Sequence, residues 1–342
     1  MSMRRIAVSV LLLAFVLGTA SAGAEVEALP RAVAEHAPEA VEWRHHLHRN
    51  PELSNREEET AAFVAERLRE LGLAVRTGIA HTGVLGVLRG GRPGPTVAVR
   101  ADMDALPVTE RSGLPFASTE TTTFQGQEVG VAHACGHDVH TAVALGVAAV
   151  LVDRRAELPG TVLFVFQPAE EGAPAGEEGG AELMLADGVF SEHDPEAIFA
   201  LHSWPDREVG QVEAAAGPTF AAVDKFRATL EGEQAHGAYP HQGIDPVVMA
   251  SQAVMALQTI RSRNLDPRAA SVVTVGIIRG GERFNIIPEE VRLEGTVRTY
   301  RPEVQDEIQA RMDEVLAGIA ASAGGSHTLD YERITPATVN DP

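Results

Sequence analysis

Cys135 and His137 stand two residues apart with Gly136 between them. In an extended loop that spacing turns a thiolate and an imidazole toward one point, and the glycine removes the side chain that would obstruct them. Two further groups of metal-binding type follow apolar runs: Glu171 behind Leu163-Phe164-Val165-Phe166, and His202 behind Ile198-Phe199-Ala200-Leu201. A Cys, His, Glu, His set suits a borderline divalent ion such as zinc, with manganese or cobalt where oxygen and nitrogen donors dominate. Each residue alone has an ordinary reading, Cys135 as a small buried hydrophobe and each histidine as a satisfied surface or core group. Their joint placement behind apolar runs favours a shared metal site.

A Glu-Glu pair such as Glu170-Glu171 is ordinarily part of a solvated acidic loop, but this one directly follows a buried strand. With Glu171 on the ion, Glu170 faces the open coordination position and can take a proton from water that the ion has acidified. Asp104, just past Val97-Ala98-Val99-Arg100, has two readings that the sequence leaves open. It is either a carboxylate that hydrogen-bonds a histidine ligand or a turn or helix cap. A thiol hydrolase with Cys135 as nucleophile and His137 as base is a poorer reading, because two residues apart is an unfavourable geometry for that pair.

In open α/β sheets, sites form beyond the carboxyl ends of the strands, so the elements that present these groups matter. Apolar periodicity predicts helices over 32–47 and 57–71, strands over 84–88 and 96–100, a helix over 140–152, a strand over 161–167, a short helix over 181–185 and a strand over 197–201. That alternation indicates an α/β fold with a mostly parallel sheet as the catalytic domain, over 25–216. A second pattern follows over 217–333: strand 225–232, helix 246–263, strands 271–279 and 291–298, helix 303–320 and strand 328–333. Its order is ferredoxin-like, βαββαβ.

The chain has 342 residues, 44% of them hydrophobic, which is enough for a sizeable core and favours two domains over one. A formal net charge of −20 argues against nucleic acid and anionic membrane surfaces as partners, since both require a positive face. The single cysteine excludes an internal disulfide framework. Arg4 and Arg5, the apolar run from Ile6 to Gly18 and the small residues Thr19 to Ala24 have the layout of a secretory signal over 1–24, cut after Ala22 or Ala24. The run falls short of the roughly 20 residues that a membrane-crossing helix needs. The mature protein is therefore expected to be secreted or periplasmic, with no membrane attachment after cleavage.

Longer segments carry a resemblance. They are His48-Arg49-Asn50-Pro51-Glu52-Leu53-Ser54, Arg100-Ala101-Asp102-Met103-Asp104-Ala105-Leu106-Pro107, His133-Ala134-Cys135-Gly136-His137-Asp138, Phe166-Gln167-Pro168-Ala169-Glu170-Glu171-Gly172 and Leu201-His202. Gly237-Ala238-Tyr239-Pro240-His241, Asn285-Ile286-Ile287-Pro288 and Gly295-Thr296-Val297-Arg298 continue the series. In this order they resemble the dinuclear metal-dependent amidohydrolases of the aminoacylase and carboxypeptidase-G-like peptidase clan. The branch is that of hippurate hydrolases, N-acyl-amino-acid amidohydrolases and indole-acetyl-amino-acid hydrolases.

The resemblance implies two divalent ions, zinc, manganese or cobalt, held by Cys135, His137, Glu171 and His202. It implies Glu170 as general base and then acid, Asp104 as the supporting carboxylate, and a small N-acyl amino acid as substrate. It further implies that the ferredoxin-like domain is an inserted lid that forms a homodimer contact. There His236 would reach the scissile carbonyl, and Asn285 and Arg298 would grip the substrate's carboxylate. Family members continue for some tens of residues past the segment matching 336–341 and add a further histidine ligand. The stretch 334–342 is thus expected to begin a return to the catalytic domain, with the second metal position one donor short. The competing expectation is a truncated, non-catalytic relative that binds metal or ligand without turnover.

Overall fold

The computed structural model describes residues 29–342. The export signal expected over 1–24 lies outside the described residues, among which no helix is long and apolar enough to cross a membrane. The chain divides into two compact units, one ending at Glu208 and one spanning Val209–Pro342. Sequence patterning puts this division eight residues later, at 216/217. Residues 201–216 contain neither helix nor strand, so periodicity has nothing there to mark a boundary.

The first unit opens with helix α1 over 29–49 and helix α2, Glu58–Glu70. Strands β1 (Ala74–Ile79), β2 (Gly83–Arg89) and β3 (Arg92–Asp102) follow, then a hairpin of β4 (Thr121–Phe124) and β5 (Gln127–Gly130). Helix α3 (His137–Asp153), strand β6 (Pro159–Gln167), helix α4 (Gly180–Ala186) and strand β7 (Ala197–Ala200) complete it. The five-stranded sheet runs β1-β2-β6-β3-β7. The parallel arrangement expected from sequence holds for β6-β3-β7, whereas β1 and β2 join antiparallel, making the sheet mixed. Only three residues link β1 to β2, a connection too short for parallel neighbours.

The core explains why β3 and β6 are central. Phe164 and Phe166 of β6 are fully buried against Ala142, Leu145, Ala148 and Ala149 of α3. Each such phenylalanine contributes about 1.5–3 kcal/mol relative to exposure. Helix α3 starts at His137, three residues before the apolar pattern suggests, because its first turn carries His137 and Asp138 in place of hydrophobes. At one edge of the sheet, β7 pairs with β3 and, among the described residues, with no other strand, leaving Ile198 and Phe199 exposed.

The second unit contains β8 (Gly217–Phe220), β9 (Ala222–Glu231), β10 (Ala235–His236), α5 (Pro246–Thr259), β11 (Ser271–Arg279) and β12 (Ile286–Ile287). It continues through β13 (Glu290–Thr299), α6 (Pro302–Ala323), β14 (Ser326–Thr335) and β15 (Thr338–Asn340). The antiparallel sheet β11-β13-β9-β14 with α5 and α6 is the βαββαβ unit. Asp245 starts α5 by accepting the Val247 and Val248 amides, ahead of Pro246 at the first helical position. On β9, Phe226, Ala228 and Leu230 face the helices while Lys225, Arg227 and Glu231 are exposed. Asp224 is buried on the same strand, and its carboxylate accepts hydrogen bonds from Gln305 Nε2 at 2.6 Å and the Tyr331 hydroxyl at 2.5 Å. Burial, reinforced by that carboxylate, holds the Tyr331 phenol above its ordinary range. The segment 334–342 carries β15, which pairs antiparallel with β8 inside the second unit.

Candidate metal centre

The site lies where β3 and β6 end. Past Asp102, the backbone is pinned on both sides: the Met103 amide donates to Gln167 O at 3.0 Å and the Ala105 amide to Glu52 O at 2.7 Å. Met103 is buried on one face, and Asp102 and Asp104, each 1% exposed, point to the other. Arg100 binds Asp102 at 2.7 Å and donates twice to Gln167 Oε1, tying the ends of the two strands together.

His137 occupies the middle of the site. Its Nδ1 donates to the Asp104 carbonyl at 2.8 Å and lies 3.2 Å from Asp104 Oδ1. Nε2, the ring atom this leaves turned toward the site, is buried and has no hydrogen-bond partner. Around it stand Glu170 Oε2 at 3.7 Å, Glu171 Oε1 at 3.8 Å and Asp102 Oδ2 at 3.8 Å. Three carboxylate oxygens gathered around one imidazole nitrogen favour a positive charge among them, a proton on that nitrogen or a metal ion. Donors that share a tetrahedral ion at about 2.0–2.1 Å stand roughly 3.4 Å from one another. The observed spacings, too long for hydrogen bonds, are close to that value. Cys135 Sγ and His202 Nε2 are 3.5 Å apart, a sulfur–nitrogen hydrogen bond whose length also suits two donors on one ion. Cys135, His137 and His202 form one group with donor atoms within 4.8 Å of each other, and His137, Glu170 and Glu171 form another. The donor chemistry and the orphaned Nε2 fit divalent metal.

Electrostatics agree. Burial opposes charge on His137, yet the Asp104 and Cys135 hydrogen bonds and the Asp102 charge push it up to about 11. Hydrogen bonds from His137 and His202 lower the Cys135 thiol toward thiolate. Burial acts to raise both Asp102 and Asp104, but their partners outweigh it and hold them low. His140 and Arg100 do this for Asp102; the His137 ring, the Ser54 hydroxyl and the Glu171 amide do it for Asp104. Glu170 goes the other way, raised by partial burial and by the Asp102 charge. The pocket thus favours positive charge and holds one carboxyl, that of Glu170, above its ordinary range.

Cys135, His137, Glu170, Glu171 and Asp104 come together as the sequence suggests, and His202 reaches Cys135 from beyond β7. Asp104 faces His137 through its carbonyl and, at 3.2 Å, through Oδ1, and its Oδ2 accepts Glu171 N–H at 3.0 Å, contacts in keeping with the first of its two readings. Of the second-unit residues, His236 and Asn285 are neighbours. The β10–β12 ladder pairs His236 with Ile286, and the Gly237 amide donates to Asn285 O at 2.8 Å. Asn285 Oδ1 is buried without a partner. Arg298 lies on β13, its guanidinium donating to Val297 O and Thr296 Oγ1.

Sequence reasoning left Asp102 and His140 without roles. The backbone N–H of Ser203 donates to His140 Nε2 at 2.8 Å, which places the proton on Nδ1, and this donates to Asp102 Oδ1 at 2.5 Å. His140 is thereby engaged at both nitrogens and steadies Asp102 and the chain next to His202. The available signal was the three-residue spacing of His137 and His140, which puts both on one helix face. Gly136 adopts φ +90°, and a Cβ there would stand 2.1 Å from Ser203 Oγ. Gly136→Ala should therefore weaken zinc binding by roughly tenfold, read by competition against a chelator of known affinity.

Fold and donor set are those of a mixed α/β protein with a cluster suited to divalent metal. The model of Peptidase family M20/M25/M40 matches residues 98–341, and the chain belongs to that family. It is 42% identical over 298 residues to the N-acetyl-L-cysteine deacetylase of Bacillus subtilis (strain 168), covering 87% of this chain and 68% of the relative. It is 39% identical over 306 residues to the N-acyl-L-amino acid amidohydrolase of Geobacillus stearothermophilus, covering 90% and 79%. Among solved structures, the Bacillus subtilis YXEP protein, described as a dinuclear metal binding peptidase of the M20 family, superposes with a TM-score of 0.75. Its identity is 36%, over 90% of this chain and 77% of that one. The protein is an amide-hydrolysing enzyme, and none of these comparisons favours the non-catalytic reading.

Proposed function

We propose that this enzyme removes the acyl group from N-acyl amino acids or related conjugates, using two divalent ions held by Cys135, His137, Glu171 and His202. The observation that carries this reading is the unpartnered His137 Nε2 facing three carboxylate oxygens. When bound, the ions polarise the amide carbonyl and make water acidic near neutral pH. Glu170 takes the water's proton and passes it to the leaving nitrogen, a task suited to a raised pKa and a side chain still 37% exposed. Asp104 holds the His137 ring by Nδ1 and the Glu171 backbone by its amide, so that neither reorganises during turnover. In the second unit, His236 stabilises the developing oxyanion, and Asn285 and Arg298 bind the substrate's carboxylate. The enzyme works as an exported homodimer that uses the second unit as lid and contact.

Acetyl and benzoyl amino acids should be hydrolysed in the presence of zinc, manganese or cobalt. Amides of the same acyl group on an amine without a carboxylate should show kcat/KM lower by about 10–100-fold, the worth of a charge-assisted contact. Equal rates for the two classes would remove the amino-acid half of the substrate from the proposal.

A further inference from the structure

We propose that Glu57 is a positioning residue: its buried carboxylate holds the left-handed turn at Ala169 and thereby aims Glu170 and Glu171. The inference rests on the roles proposed above for those two glutamates. Glu57 is 0% exposed, and its described hydrogen bonds are to neutral donors. A buried carboxylate is costly and persists where its bonds are specific. Glu57 occupies the N-cap position of α2 but makes no side-chain cap bond there. Glu52 serves that end of the helix, accepting the Thr60 and Glu59 amides at 2.8 and 3.2 Å. The Glu57 side chain turns away from its own helix, Oε1 accepting the Ala169 amide at 2.8 Å and Oε2 the Thr82 hydroxyl at 2.7 Å.

The recipient is informative. Ala169 has φ +49°, a conformation that non-glycine residues rarely keep without outside support. It immediately precedes Glu170. On the far side of Glu170, Asp104 Oδ2 accepts the Glu171 amide. Two buried carboxylates from different elements thus grip the amides flanking the proposed base, one on each side. If the Glu57 grip is lost, Ala169 can relax to negative φ, which swings the Glu170 side chain out of line while leaving the sheet and α3 intact.

The test compares wild type, Glu57→Ala and Glu57→Gln. In the metal-free protein, Glu57→Ala should speed hydrogen exchange of the Ala169 amide at least about tenfold and leave the α3 amides within about twofold. With metal and N-acetyl amino acid, kcat should fall about 10–100-fold with KM nearly unchanged. Glu57→Gln, whose Oε1 can still accept the Ala169 amide, should recover protection and most of kcat. Unchanged Ala169 exchange, wild-type kcat in Glu57→Ala, or a glutamine variant no better than alanine would each overturn the proposal. If Glu57→Ala unfolds, losing α3 protection as well, Thr82→Val takes its place. It should give a smaller rise in Ala169 exchange and a severalfold loss of kcat, and no change in either counts against the proposal. Full activity in Glu170→Gln would instead sink the reading of the site on which this one depends.

Discussion

Glu170→Gln is expected to lower kcat about 10²–10⁴-fold while metal content stays at the wild-type level. The substitution keeps size and shape and removes only the ability to accept a proton and return it. Glu170 is the least buried of the carboxylates around His137, at 37% side-chain exposure, and its Oε2 lies 3.7 Å from His137 Nε2. Stability should therefore change by no more than about 0.5 kcal/mol. Turnover by stopped assay and metal by plasma emission on the same preparation decide the matter. Joint loss of metal and activity would reassign Glu170 as a ligand, and retained activity would remove it from the proton path.

His137→Ala is expected to abolish both metal binding and turnover, and to destabilise the fold. His137 belongs to each of the site's donor groups, so its removal takes a donor from all of them. It also strips Asp104 of its ring partner in a fully buried position, and breaking such a pair costs about 3–5 kcal/mol. Chelation of the wild type provides the control. It should end activity and lower Tm, with both restored by zinc, manganese or cobalt, whereas the Tm of His137→Ala should ignore chelator and metal alike. A variant that keeps stoichiometric metal would show that the site closes without this imidazole.

Much of the centre is legible in the chain because the chemistry needs scarce residue types at particular places. Cys135, His137, Glu171 and His202 each follow an apolar run or flank a helix start, and strand ends on one side of a sheet are where such groups meet. The βαββαβ order of the second unit is legible for a similar reason, since β9 alternates strictly between core and solvent. What stays hidden depends on contacts between remote positions. Nothing local in Glu57 reports that its carboxylate reaches an amide 112 residues away, and the Asp102–His140 bond spans 38. The strands missed, β1, β4, β5, β8, β10, β12 and β15, are edge strands, hairpin strands or pieces of two to four residues, so they carry too little apolar alternation to read. The start of α3 is masked by His137 and Asp138, polar groups that stand where a hydrophobic periodicity would begin.

The donors come from a loop ahead of α3, the end of β6 and the chain beyond β7, so no short peptide of this protein can assemble the site alone. A captured ion therefore acts as a cross-link that exists only in the intact first unit, adding RT ln(1 + [L]/Kd) to its resistance to opening. Scarcity of the metal would then shorten the life of the enzyme among proteases as well as silence it, and abundance would preserve it even when there is no substrate to process.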